Sequence, residues 1–194
     1  MSAGARDIVP PDESALPRRY APQLALPAYR YVPGLHPHPT AHPAGHSFGR
    51  PEPDASSCPP ERWRDSEPYL YGVDLFNRGY YWEAHEAWEA FWHACDKRAA
   101  QGLFVQGLIQ IAAALLRWHM GTERGVRKLY REGRAKLEPA ARASSPYMGL
   151  DVVAWLAQLE RLFADLLECL ASGAAARDMP VIRLAGEDES SMSN

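Results

Sequence analysis

Cysteine is scarce in this 194-residue chain, and the three that occur lie far apart. Cys58, Cys95 and Cys169 form no CxxC pair. That excludes a zinc ribbon and a disulfide framework, and it suits a reducing cytosol. A dominant charge is missing too. The formal net charge is −3, so nothing pulls the whole chain toward nucleic acid or an anionic membrane. The most apolar stretch, GLFVQGLIQIAAALL (102–116), is broken by Gln106 and Gln110 and is short for a bilayer span. It reads as a buried core helix. The opening MSAGARDIVPPDE has no apolar run of the kind a secretion signal carries, so the expected location is cytoplasmic. Glycine-rich phosphate loops and a GxSxG nucleophile elbow are also absent.

Proline is abundant but confined. Thirteen of the seventeen prolines fall in residues 1–60. Proline forbids helix interiors, so this part is expected to be extended or turn-rich. The first fifteen or so residues read as disordered. Residues 18–49 do not, because Tyr20, Leu24, Leu26, Tyr29, Tyr31, Val32, Leu35 and Phe48 are more apolar surface than a free linker needs. They are expected to wrap over a helical body, and residues 50–62 read as a linker. The organisation is therefore a Pro/His-rich extension (1–65), a helical domain (66–173), and an extended segment with an acidic tail (174–194).

From Ser66 the pattern is helical throughout. Capping residues and breakers place helices at about 67–78, 80–95, 99–119, 122–137 and 151–172, with Ser66, Thr122 and Asp151 as N-caps. Pro139 is expected to end the fourth. Gly79 and Gly121 sit at matching turns, which makes two helix–glycine–helix hairpins. The fold expected is all-α, a small bundle of five helices. Gly72, Gly79, Tyr81 and Ala84 give the first hairpin a tetratricopeptide look, but no 34-residue repeat follows.

The densest chemistry lies in YYWEAHEAWEAFWHA (80–94). On a helix, Tyr81, Ala84, Ala87, Trp88, Phe91 and Trp92 share a broad aromatic face, with His85, Glu86, Glu89 and His93 in a band beside it. His85 and Glu89 are four apart and stack one turn over the other. A His/Glu pair so spaced can hold a divalent metal, with Glu86 as the candidate base. The same band also reads as a buried hydrogen-bond network that fixes helix packing. A di-iron bundle is excluded, because no glutamate in this helix has a histidine three residues on.

Two other stretches bear on that site. His36, His38, His42 and His46 put four of the seven histidines into eleven residues between prolines. Such a composition suits metal binding, and this segment would complete the shell if it folded over the helix; it equally suits a polar wrap whose histidines bond backbone carbonyls. Gln106 and Gln110, four apart on a core helix, need partners. The His/Glu band is their expected partner, with Trp92 beside it, either orienting ligands or, the reading preferred, as plain interhelical hydrogen bonding. Arg124, Arg127, Lys128, Arg131 and Arg134 line one helix face, read as a solvated face with no nucleic-acid partner.

LFNRGYYWEAHEAWEAFW (75–92), FVQGLIQIAAALLRWHMG (104–121) and ERGVRKLYREG (123–133) together resemble the domain of unknown function 309 family, which is sometimes labelled predicted metal-dependent hydrolase. YVPGLHPHPTAHPAGHS (31–47) resembles an extension of its longer members. The resemblance implies a small helical bundle and puts His85, Glu86, Glu89, Trp92, Gln106 and Gln110 at the family's signature positions. The functional expectation is a divalent-metal protein acting as a hydrolase on an unknown small molecule. Zinc is the default ion, with manganese, iron and nickel open. The rival is a non-catalytic helical interaction module, and homo-oligomerisation is left open.

Overall fold

The computed structural model describes residues 5–51, 56–172 and 179–186. Five α-helices make up the body: α1 (Glu67–Asn77), α2 (Tyr81–His93), α3 (Ala100–His119), α4 (Glu123–Ala143) and α5 (Val152–Ser172). Among the described residues there is no β-strand, only two isolated bridges. The architecture is an all-α bundle.

Local chemistry explains the boundaries. The Ser66 side chain accepts from the Tyr69 N–H, and Pro68 follows in the first turn, where its missing donor costs nothing. Asp151 caps α5 by accepting from the Ala154 N–H at 3.0 Å. Gly79 (φ +79°) and Gly121 (φ +68°) both take the left-handed conformation that closes a helix. In each, the next N–H reaches back to a carbonyl of the helix: Tyr80 to Leu75 at 2.9 Å and Thr122 to Arg117 at 3.0 Å. The two hairpins therefore turn on the same device.

Two boundary expectations are corrected. Thr122 stands at the N-cap of α4, but its hydroxyl donates to the Arg117 carbonyl and caps nothing. Pro139 lies inside α4, which continues to Ala143. A single interior proline removes one hydrogen bond, and here Leu137 and Ala140, both fully buried, hold the turn against the core.

Helix α3 is the axis of the bundle. Phe104, Leu108, Ile111 and Leu115 have no exposed surface, and α2 and α4 pack along it. By length and composition α3 could cross a membrane; these side chains are spent on the core instead. Gly107 of α3 and Gly133 of α4 allow the closest approach, since a Cβ at Gly133 would lie 3.1 Å from the Gly107 carbonyl. On the other side, α1 meets α2 where Gly72 admits the Trp88 indole, whose N–H donates to the Tyr69 carbonyl at 3.1 Å.

The Pro-rich extension wraps the body, and it begins earlier than expected. Ile8 is buried, and the Arg6 N–H donates to the His119 carbonyl at 2.8 Å. Within residues 5–15, read as disordered, Arg6 and Ile8 therefore pack, while Val9 stays exposed. Buried charges anchor the arm. The Asp74 carboxylate, wholly enclosed, accepts from the Tyr20 and Ala21 N–H groups at 2.8 and 2.9 Å and faces the Arg19 and Arg78 guanidiniums. Trp63, just past the stretch read as a linker, is buried. Residues 179–185, expected to be extended, are held by Asn77. Its amide donates to the Ile182 carbonyl at 2.8 Å and accepts from the Ile182 N–H at 2.7 Å. Gly173 and the acidic tail lie outside the described residues.

Candidate metal centre

Helix α2 starts without a side-chain cap and carries its aromatic face inward: Tyr81, Ala84, Trp88 and Phe91 are buried. His85, Glu86 and Glu89 follow on its outer flank. Their ligand atoms all lie within 4.8 Å of one another. His85 Nδ1 is 3.1 Å from Glu86 Oε1 and 3.8 Å from Glu89 Oε2. Donor atoms about 2.1 Å from a tetrahedral ion stand about 3.4 Å apart, so the two separations bracket what such an ion needs. One imidazole nitrogen and two carboxylates suit zinc, manganese or ferrous iron. The chemistry of this donor set, and the spacing of His85 from each carboxylate, fit a divalent cation.

The surroundings are open. The side chains of His85, Glu86 and Glu89 are 29%, 45% and 40% exposed, so this is a surface group, not the buried network one reading expected. Glu86 turns back toward His85. That is the position of a ligand or a hydrogen-bond partner, not of a base held apart.

The arm does not bring its histidines to this group. His46 Nε2 meets Glu83 Oε1 at 3.0 Å, and both side chains are almost fully buried. Glu83 is two residues before His85, about 160° around the helix from it. His46 is thus committed to the opposite flank of α2. His36 Nδ1 accepts from the Val32 N–H at 3.2 Å, and His42 Nδ1 from the Ala44 N–H at 3.0 Å. His38 reaches α2 through its ring, which sits edge-on to Trp82 at 5.5 Å, while its Nδ1 accepts from the Ala41 N–H at 3.3 Å. Among the described residues, the three-ligand group contains none of the four.

The glutamines turn elsewhere as well. Gln110 donates to Glu132 of α4 at 3.3 Å, because it lies on the side of α3 that meets Gly133. Neither Gln110 nor Gln106 bonds the His/Glu band. Trp92 is half-buried with the Lys97 ammonium 4.3 Å from its ring centre. Cys95 is buried, and burial pushes its thiol up to about 11, away from the thiolate form.

Sequence reasoning passed over Glu83, Asp74, Asn77 and Arg78. Glu83 accepts from the Tyr31 N–H at 3.0 Å as well as meeting His46, and so ties the arm to α2. A signal for Asp74 was present, since it is the lone charge in the apolar run YLYGVDLFN and such a charge needs a partner.

These observations define a small helical bundle with a solvent-open His/Glu/Glu group on its second helix. A family model described as Domain of unknown function (DUF309) matches residues 69–129, from α1 into α4, and that segment is similar to this family. The arm and α5 lie outside the matched residues. No curated protein matches the chain.

Proposed function

We propose that this domain binds one divalent metal ion through His85, Glu86 and Glu89, and that the bound ion serves a hydrolytic reaction. The observation that carries this reading is the convergence of one imidazole and two carboxylates within 4.8 Å on a single exposed helical turn. Three protein donors leave coordination positions open, as catalytic sites do and structural sites do not. The ion would supply Lewis acidity and a more acidic bound water. His85 and the two carboxylates hold it, and the aromatic face beneath them fixes the helix that presents them.

Metal analysis by mass spectrometry of the untagged protein and of His85→Ala and Glu89→Ala tests the reading. Near-stoichiometric zinc or manganese in the first and loss in the variants supports it. A metal-free wild-type protein, purified without chelator and reloaded without uptake, sinks it. For the hydrolytic step, turnover of phosphate- or carboxylate-ester probes should disappear in the same variants.

One observation favours a second reading, a non-catalytic interaction module. The group stands on open surface, and two concavities of the described residues lie elsewhere, one between α4 and α5 and one around Trp63 and Tyr147. Retained metal with no turnover of any ester probe would favour this second reading.

A further inference from the structure

Helix α5 presents more apolar surface than the body covers. Trp155, Leu159 and Phe163 are buried, but Leu156, Leu162, Leu167 and Leu170 are only half-covered, and Val153 is 56% exposed. Where α5 lies against α4, a groove of about 560 Å³ remains. Its floor is Tyr130 stacked on Phe163, with ring centres 4.3 Å apart, continued by Leu167. Its rims differ in charge. Arg127 and Arg134 stand on the α4 side, Glu160 and Glu168 on the α5 side.

The register of those charges matters. α4 and α5 form a hairpin across residues 144–151, so they run antiparallel and Tyr130 is level with Phe163. Arg134, four residues past Tyr130, and Glu160, three before Phe163, are then at one end of the groove. Arg127 and Glu168 are at the other. A two-fold axis lying in this face and parallel to the helices would put α4 of one copy over α5 of the other at unchanged height. Arg134 would meet the second copy's Glu160, and Arg127 its Glu168, each contact made twice. The apolar floors would close on each other. The two arginines are held within their own helix by exposed pairs to Glu138 and Glu123, which are weak enough to be exchanged.

We propose that the α4–α5 face is an isologous docking surface for a second copy of this chain. The opposite rims at matching heights carry the choice of occupant, because a surface with this pattern is complementary to itself. The face lies apart from the His85 group, so the inference stands whether or not that group binds metal.

Sedimentation velocity on the full-length protein over a concentration series tests it, with Arg134→Glu, Glu160→Arg and the double variant. Both positions are solvent-facing, so the folds should survive, and circular dichroism checks this. The expected result is a dimer whose dissociation constant rises at least about tenfold in each single variant and returns toward the wild-type value in the double. A wild-type protein that stays monomeric overturns the proposal. So does a dimer indifferent to all three variants. A monomer that dimerises only after removal of residues 187–194 assigns the groove to the acidic tail and overturns it too.

Discussion

Glu83 and His85 are two residues apart on one helix and have opposite roles. Glu83 is enclosed, bonded to His46 and to the Tyr31 N–H, and one of its oxygens has no partner. His85 is partly exposed, with carboxylate neighbours. Removing a buried acceptor leaves desolvated partners behind, whereas exposed pairs contribute little. Glu83→Ala is therefore expected to cost about 3 kcal/mol in denaturant unfolding, with Glu83→Gln costing less because its amide oxygen still accepts. His85→Ala should stay within about 0.5 kcal/mol of wild type while losing metal. His119 gives the pH dependence. It is buried against Tyr81 and Trp118, and burial holds its imidazole well below the usual value, at about 4 against 6.5. Below pH 6.5 the unfolded chain takes up a proton that the folded chain refuses. This contribution to stability is whole above pH 6.5 and drains away as the pH falls to about 4, in all roughly 3 kcal/mol. Unfolding free energies of His119→Phe measured from pH 7 to 4 should lack that fall. The sequence pattern marked His85, Glu86 and Glu89 because side chains four apart on a helix meet whatever the tertiary structure. Glu83 was silent because its partners lie 37 and 52 residues away.

At the scale of elements, the α1–α2 hairpin depends on one glycine. A Cβ at Gly72 would overlap the Trp88 indole, which is fully buried and held by its bond to Tyr69. Gly72→Ala gains up to about 1 kcal/mol of helix propensity, but overpacking in a closed core costs about 1–3 kcal/mol. A net fall in melting temperature is expected, and a rise would show that Trp88 can move aside. The helices themselves were legible, with each start and stop within a few residues except at Pro139. Caps and glycines act over one turn and need no distant partner. Pro139 misled because a local helix breaker was outweighed by burial of Leu137 and Ala140, which only packing creates.

On the scale of the whole molecule, the arm is part of the fold. It covers Asp74, Arg78 and Glu83 and supplies a hydrogen-bond partner to each of them. It has a structural histidine, His46, and three whose rings bond locally or lie on other rings. Joint replacement of His36, His38 and His42 by alanine is therefore expected to leave bound metal unchanged, as read by mass spectrometry, while deletion of residues 1–50 destabilises the body. Metal lost from the triple variant would mean that the arm closes onto His85 after all. Helical periodicity, capping residues and glycine turns were enough to specify five helices, two matched hairpins and a His/Glu/Glu turn, since all are set by neighbours within a few residues. Which flank of α2 the arm seals, whether the glutamines face the histidine or α4, and how open the His85 group stands follow from contacts across tens of residues. Those contacts are selected by burial and by the pairing of enclosed charges, which no local pattern records.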